Sequence, residues 1–271
     1  MNPSSLPGYQ PLMAPARRFR VLVLACAGLL AAGCSRAFDV RKFAGDNDRL
    51  YRVAMAEYRR GKFDNAVAAL ERLTADLSAR DTLLPPAYYY LGRAHDKRGE
   101  HLLAAQAFTR LAETFPDDSL ADDALFGAAR SYQRLWRKPA LDPANGQQAI
   151  ATYRTLLSSY PDSPLAAKAT QRIAALEQWL ATKDYDSGMH YFRRKAYDSA
   201  IIYFKDVVRN YPSTPKAKEA YLRLHEAYRR IRYADDARET CDTLRQRYPA
   251  DREVRRACGA APVSSATAPT P

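Results

Sequence analysis

The chain has 271 residues, of which 47% are apolar, so it can build a sizeable hydrophobic core and is not a wholly disordered protein. Its 42 Lys and Arg residues exceed its 30 Asp and Glu residues, which gives a formal net charge of +12. This balance fits either an anionic partner or a surface of solvated arginines, and both readings stay open. The continuous apolar run, Val21 to Ala32, is shorter than the about 20 residues of a transmembrane helix, so the sequence predicts no membrane-spanning segment.

The N-terminal region has the pattern of a secretory signal peptide. A basic cluster at Arg17, Arg18 and Arg20 precedes the apolar run, and small residues follow that run. The segment Leu30-Ala31-Ala32-Gly33-Cys34-Ser35 resembles the bacterial lipobox, in which a peptidase cuts before a diacylated cysteine. We therefore expect residues 1–33 to be a lipoprotein signal peptide and Cys34 to be the lipidation site.

Acylation of Cys34 would anchor the mature chain to a membrane without spanning it. Several acyl chains bury far more apolar surface than the single chain that gives only marginal binding. Ser35 stands where inner-membrane lipoproteins carry Asp, which favours the cell outer membrane, with the protein facing the periplasm. Residues 34–47 contain few large apolar side chains and are expected to form a tether.

A short repeat follows the tether and predicts the fold. In four copies a marker residue, usually small, precedes an alanine by twelve residues: Ala54 and Ala66, Gly92 and Ala104, Gly188 and Ala200, His225 and Ala237. In four copies that alanine precedes a proline by a further twelve: Ala104 and Pro116, Ala149 and Pro161, Ala200 and Pro212, Ala237 and Pro249. This is the tetratricopeptide pattern, so we expect an all-α tetratricopeptide-repeat superhelix of about five helix pairs.

The spacing of the repeats divides the rest of the chain. Residues 48–135 should hold repeats 1 and 2 and the first helix of repeat 3, and residues 136–146, with two prolines and an Asn-Gly pair, should form an insertion loop. Residues 147–258 should hold the rest of repeat 3, a long helix from Pro164 to Arg193, and repeats 4 and 5. The low-complexity segment 259–271 is expected to be a disordered tail.

In stacked helical repeats the first helix of each pair lines an inner groove. At those positions aromatic residues alternate with arginines, and the N-terminal candidates are Tyr51, Tyr58, Arg59, Tyr89, Arg93, Phe126 and Arg130. Such a surface suits an extended peptide with aromatic side chains and a terminal carboxylate. The alternative is that the tyrosines pack between repeats and the arginines are solvated. Nucleic acid also binds aromatic and basic surfaces, but export makes it an unexpected partner.

The sequence contains no catalytic or phosphate-binding motif, so we expect a protein that is not an enzyme and has no cofactor. Its four histidines show no metal-ligand spacing, which predicts no metal site. Cys241 and Cys258 are a possible disulfide, which would close a short loop worth about 3 kcal/mol. Alternatively, Cys241 remains a free buried thiol, because it stands where the repeat holds a large apolar side chain.

The lipobox, tether, five repeats, insertion and long helix together resemble the BamD family, the outer-membrane lipoproteins of the β-barrel assembly machinery. The densest match includes the segments Tyr160-Pro161-Asp162-Ser163-Pro164 and Tyr211-Pro212-Ser213-Thr214-Pro215. The resemblance implies a scaffold whose C-terminal repeats dock on the barrel subunit BamA, alongside other assembly-machinery lipoproteins. It also implies N-terminal repeats that recognise the C-terminal targeting strand of unfolded outer-membrane proteins.

Candidates for contact with the barrel subunit are Tyr203, Lys205, Arg229 and Arg230. Many members of the family carry an arginine where this chain has Tyr203; Lys205 is a nearby candidate to compensate, without implying the same salt bridge. The alternative is a periplasmic adaptor of the Tol and cell-division system, which shares the Tyr-Pro-Asp-Ser-Pro repeat ends. That group lacks a lipid anchor, so Cys34 weighs against it.

Overall fold

The computed structural model describes residues 38–259, and this part of the chain is all-α. The chain divides into two compact units, Met1–Lys42 and Phe43–Pro271. The predicted signal peptide 1–33, the predicted lipidation site Cys34 and all of the predicted tail but Gly259 lie outside the described residues. A single 3-10 helix, Val40–Phe43, occurs within the segment predicted as a tether. Between residues 38 and 259 no helix combines the length and the apolar character that crossing a bilayer requires.

Eleven α-helices occupy the described chain from Asn47 onwards. Their bounds are α1 Asn47–Arg59, α2 Phe63–Asp76, α3 Leu84–Arg98, α4 His101–Thr114, α5 Ala121–Leu135, α6 Ala144–Ser159, α7 Ala166–Arg193, α8 Tyr197–Asn210, α9 Pro215–Arg230, α10 Ala234–Arg247 and α11 Arg252–Cys258. Each helix packs against the next one in sequence. The pairs are α1 with α2, α3 with α4, α5 with α6, the C-terminal half of α7 with α8, and α9 with α10, and α11 follows them.

The small positions of the repeat lie where two helices approach most closely. A β-carbon added at Gly92 would lie 2.9 Å from the ring of Phe108, and one added at Gly188 would lie 2.6 Å from the ring of Phe204. Both rings are almost fully buried. The glycine on the first helix of a pair therefore makes room for the aromatic residue on the second, which explains their fixed spacing in the sequence.

Aromatic-proline pairs end the second helix of repeats 2 to 5. The residues Phe115, Tyr160, Tyr211 and Tyr248 each follow the last residue of a helix directly, and each is followed by proline. Proline has no backbone N–H and cannot continue the hydrogen-bonded ladder. The Tyr160 hydroxyl donates a hydrogen bond to the carbonyl of Pro116, at 2.6 Å, so one repeat end is tied to the preceding one.

The insertion is shorter than its sequence predicted. Helix α6 begins at Ala144, so Asn145 and Gly146 lie in its first turn and the loop covers residues 136–143. The prediction of a loop through Gly146 was therefore wrong at its end. Gly146 is present here for packing and does not mark a turn. The buried ring of Trp136 fills the space that a side chain at this position would occupy. The same ring meets Trp179 of α7 edge-on, at 5.5 Å between centroids.

Helix α7 is 28 residues long and joins two hydrophobic cores. Its N-terminal half packs into the core of repeats 2 and 3 through residues such as Ile173 and Leu176. Its C-terminal half packs into the core of repeats 4 and 5 through Ala181 and Tyr185. The described repeats therefore share one continuous element across their middle.

Candidate functional site

The first surface is an aromatic cluster between α1 and α3. The ring of Tyr58 meets Tyr90 edge-on at 5.4 Å, and Tyr90 meets Tyr89 in the same manner at 5.4 Å. The Arg93 guanidinium lies 5.9 Å from the Tyr58 ring centroid and 5.7 Å from that of Tyr89. Three predicted groove residues, Tyr58, Tyr89 and Arg93, thus come together, with Tyr90 as a fourth member that the sequence analysis did not select. We call these four residues the aromatic cluster.

Two members of the aromatic cluster, Arg93 and Tyr89, have raised pKa values. Burial alone would lower the pKa of Arg93, but the neighbouring Tyr58 and Tyr89 raise it above its usual value. Burial raises the pKa of Tyr89, and the carboxylate of Asp123 raises it further. The predicted residue Tyr51 is half-buried on α1, and burial, followed by the proximity of Tyr90, raises its pKa. Arg59 is exposed at the end of α1.

A basic pocket lies between α3 and α5 and includes Arg93. A cavity of about 240 Å³ is lined by Arg93, Asp96, Lys97, Arg130 and Arg134, four cationic side chains around one carboxylate. Asp96 is 8% exposed and accepts hydrogen bonds from Arg130, at 3.3 Å, and from Arg134. We call these five residues the basic pocket.

One donor in the basic pocket has no acceptor. The Nε atom of Arg130 is buried and makes no hydrogen bond in the described part of the chain. Buried polar groups are normally paired, so this unpaired N–H is an exception within the described structure. The sequence analysis missed Asp96, although its position three residues after Arg93 on a helix places both on one face.

The structure corrects the prediction for Phe126. This side chain is only 6% exposed and belongs to the core of repeats 2 and 3. Its ring meets Tyr153 edge-on at 5.4 Å, and the Lys168 ammonium lies 5.3 Å from its centroid. Phe126 therefore supports the repeat stack and is not accessible to a peptide in the groove.

A second cavity lies in the C-terminal repeats, with a volume of about 930 Å³. It is bounded by α7, α9 and α11, and its lining includes Tyr185, Leu222, Arg223, Arg229 and Arg230. Both predicted residues Arg229 and Arg230 are exposed. Helix α11 forms one wall, because Lys218 of α9 pairs with Asp251 at its N-terminus, at 2.8 Å. We call this cavity the C-terminal groove.

Tyr203 and Lys205 do not lie in the C-terminal groove. Tyr203 on α8 stacks on Tyr191, at 5.4 Å between centroids, and lines a separate cavity of about 360 Å³ that reaches Ala140 of the insertion. Lys205 is exposed, with its ammonium 5.6 Å from the ring of Tyr228. The four residues predicted to contact one partner are thus split between two cavities and an exposed helix face, because α8 and α9 present different sides.

Cys241 and Cys258 are joined in a disulfide, with their Cα atoms 5.5 Å apart. Cys241 is buried on α10 and Cys258 is the last residue of α11. The sequence left this pairing open. The disulfide fixes α11, and with it one wall of the C-terminal groove, to α10.

Helix pairs stacked through small and large positions, with open basic and aromatic surfaces, define a tetratricopeptide-repeat protein. The chain belongs to the YfiO outer membrane lipoprotein family, whose model matches residues 44–244. The resemblance seen in the sequence is therefore confirmed.

Curated relatives carry the name outer membrane protein assembly factor BamD. The protein of Neisseria gonorrhoeae is 25% identical over 248 residues, which cover 85% of this chain and 91% of that protein. The protein of Vibrio cholerae is 27% identical over 230 residues, which cover 79% of this chain and 94% of that protein. These relatives give no support to the alternative of a Tol-system adaptor.

Solved structures with a similar arrangement are tetratricopeptide proteins. The TPR2AB domain of yeast Sti1 covers 78% of this chain and 81% of its own length, at 13% identity and a TM-score of 0.38. The protein TTC0263 of Thermus thermophilus covers 78% of this chain and 95% of its own length, at 20% identity and a TM-score of 0.35.

Proposed function

We propose that this protein is an outer membrane protein assembly factor, a non-enzymatic scaffold anchored in the outer membrane through Cys34 and facing the periplasm. Its N-terminal repeats bind the C-terminal strand of unfolded outer-membrane proteins, and its C-terminal repeats bind a BamA-like barrel subunit. The family membership supports the process, and the two separate open surfaces support a scaffold with two partners. Other assembly-machinery lipoproteins are further partners.

The assignment of substrate binding to the N-terminal repeats rests on Arg130, whose buried Nε has no hydrogen-bond partner. The side chain of Arg130 lines the basic pocket, where four cations outnumber one carboxylate. A C-terminal carboxylate supplies acceptor atoms for both this N–H and the neighbouring guanidinium groups. The aromatic cluster shares Arg93 with the basic pocket, so an aromatic side chain near the peptide terminus packs on Tyr58 and Tyr89 while the carboxylate enters the pocket.

The C-terminal groove suits the barrel subunit for a different reason. It is larger, it has the apolar Leu222 and the ring of Tyr185 in its lining, and its rim carries Arg229 and Arg230. The lining combines these groups with five cationic side chains and three glutamates, and protein interfaces commonly mix apolar and charged groups. The cationic rim favours an acidic surface on the partner.

A binding assay with two synthetic peptides tests the substrate assignment. Both peptides carry the same C-terminal sequence of an outer-membrane protein, one with a free carboxylate and one with a terminal amide. We expect the free acid to bind about tenfold more tightly, because a hydrogen bond to a charged group is worth about 1.5–3 kcal/mol. Arg130→Ala should remove this preference.

The exposed Arg110 of α4 provides the charge-matched control. Arg110→Ala should leave the preference for the acid intact. Equal affinity of the two peptides for the unaltered protein would contradict the carboxylate assignment, while leaving the C-terminal groove to be tested separately with the barrel subunit.

A further inference from the structure

Three ligand-bearing side chains converge behind the C-terminal groove, from three different helices. His225 of α9, Cys241 of α10 and Cys258 of α11 each offer one nitrogen or sulfur atom, and these atoms all lie within 4.8 Å of one another. His225 and Cys241 are buried, at 9% and 4% exposure. In the sequence the three residues are far apart and show no metal-ligand spacing, so only the fold brings them together.

We propose that this cluster is a redox-gated metal site that takes Zn²⁺ or a similar borderline divalent cation. In the oxidised chain the two sulfurs are bonded to each other. In the reduced chain the two thiolates and the imidazole hold the metal, which then ties α10 and α11 together in place of the disulfide.

A hydrogen bond of the His225 ring fixes which of its two nitrogens is free to bind a metal. Its Nδ1 lies 2.9 Å from the carbonyl oxygen of Ala237, and because a carbonyl can only accept, Nδ1 carries the hydrogen. The lone pair is thus on Nε2. Histidines that bind metals commonly donate their other ring N–H to a backbone carbonyl in this way.

The three ligand atoms are close enough together for a tetrahedral site, but they are not yet in its geometry. Zinc binds sulfur at about 2.3 Å and nitrogen at about 2.0–2.1 Å, which places a ligating nitrogen and sulfur about 3.5 Å apart. The Sγ atom of Cys241 lies 3.6 Å from Nε2 of His225 and 3.3 Å from its Nδ1, so the imidazole must turn to direct its Nε2 lone pair at a metal bound by this sulfur. Two ligating sulfurs stand about 3.8 Å apart in such a site, so the sulfurs must separate before the metal enters.

Charge also favours a thiolate site at this place. Five cationic side chains and the three carboxylates of Glu219, Glu226 and Glu253 line the cavity that His225 borders, so the lining is basic on balance. Two thiolates neutralise a divalent cation, so the occupied site adds no net positive charge to these basic surroundings. Three protein ligands leave a fourth position, and His225 borders the C-terminal groove, from which a water molecule completes the shell.

The gating step is a thiol-disulfide exchange with a dithiol reductant. The reductant supplies two electrons and two protons, its own sulfurs form a disulfide, and Cys241 and Cys258 become thiols. Metal binding then releases the two thiol protons to solvent. The intact disulfide leaves no thiolate to bind a metal, so binding requires reduction first.

Cobalt(II) is the probe that tests the site. The full chain with Cys26→Ser and Cys34→Ser, in which Cys241 and Cys258 are the remaining cysteines, is purified in detergent and titrated with Co²⁺ before and after reduction. We expect the reduced chain to take up a single equivalent and to show thiolate-to-cobalt charge transfer and the visible bands of tetrahedral cobalt. The oxidised chain should show neither, and Zn²⁺ should displace the cobalt.

His225→Gln tests the imidazole, because the amide still offers an N–H to Ala237 but lacks the ring nitrogen. It should weaken cobalt binding by at least about tenfold. His190→Gln, at an exposed position of α7, is the control and should change nothing. A reduced chain that stays helical without cobalt bands, a chain that unfolds on reduction and takes up no metal, or full affinity in His225→Gln would each overturn the proposal.

Discussion

The carboxylate of Asp96 on α3 holds Arg130 on α5, with the Nη2 of Arg130 3.3 Å from Oδ2 of Asp96, 34 residues away in sequence. Arg134 donates to the other oxygen of the same carboxylate. The pair joins repeats 2 and 3 across the groove. It also means that the resident carboxylate competes with any bound carboxylate for the same guanidinium donors.

Asp96→Asn should therefore change stability and affinity in opposite directions. Loss of the charged hydrogen bonds should lower the free energy of unfolding by about 1–3 kcal/mol. Removal of the competing charge should strengthen binding of the free-acid peptide but not of the amide peptide. Urea denaturation and fluorescence anisotropy measure the two effects, and a parallel loss of both would show that Asp96 organises the pocket instead of competing in it.

Gly188→Ala should destabilise the C-terminal repeats. The added methyl would lie 2.6 Å from the ring of the fully buried Phe204, so the ring or a helix must shift. Overpacking of this kind costs about 1–3 kcal/mol. Phe204→Leu in the same chain should recover part of that loss, and an additive double variant would show that the two positions do not share this space.

Charge reversal at Arg229 and Arg230 should weaken capture of the barrel subunit far more than it weakens folding. Both side chains are exposed at the rim of the C-terminal groove, where rim charges act mainly on association. Co-purification with the barrel subunit and thermal unfolding give the two readouts. Arg238→Glu, an exposed arginine on α10, is the control and should leave capture unchanged. If the double variant loses thermal stability to the same extent as it loses binding, the assignment of Arg229 and Arg230 to partner contact is wrong.

Glu57 should make stability depend on pH in the acidic range. A hydrogen bond from Asn65, at 2.6 Å, holds the pKa of this carboxyl below its ordinary value, and Arg60 acts in the same direction against burial. Because the folded-state pKa is depressed, this contribution is complete above the ordinary carboxyl pKa and is lost as the pH falls through the depressed value. The free energy of unfolding, measured with urea across that pH range, should depend less on pH in Glu57→Gln than in the unaltered protein. The exposed Glu113 of α4 offers the control, since Glu113→Gln should keep the slope.

Cys34→Ala should move the protein from the membrane fraction to the soluble periplasm, because multiple acyl chains supply the membrane affinity. Cys26→Ala, within the apolar run of the signal peptide, should leave it in the membrane. Fractionation followed by immunodetection distinguishes these outcomes. Retention of the Cys34→Ala protein in the membrane pellet would contradict the lipid anchor.

The fixed spacing of the repeat residues predicted the helix pairs, because packing within one pair determines which residues stand at those positions. Gly188 and Phe204 face each other across such a pair, so their spacing alone identifies the crossing. Phe126 was misassigned because its burial depends on α7, whose Lys168 covers its ring from a different repeat. The disulfide and the position of Tyr203 likewise depend on the angle between successive helix pairs. The sequence of a single repeat does not determine that angle.

Helix α7 has a consequence for how the two partners are presented. At about 1.5 Å per residue its 28 residues extend about 42 Å, without a break between the two cores. Its length fixes the spacing between the two cores. If the N-terminal repeats hold a strand and the C-terminal repeats hold a barrel subunit, as we propose, α7 sets the distance between them. Changing the number of turns in α7 would then change that distance without altering either binding surface.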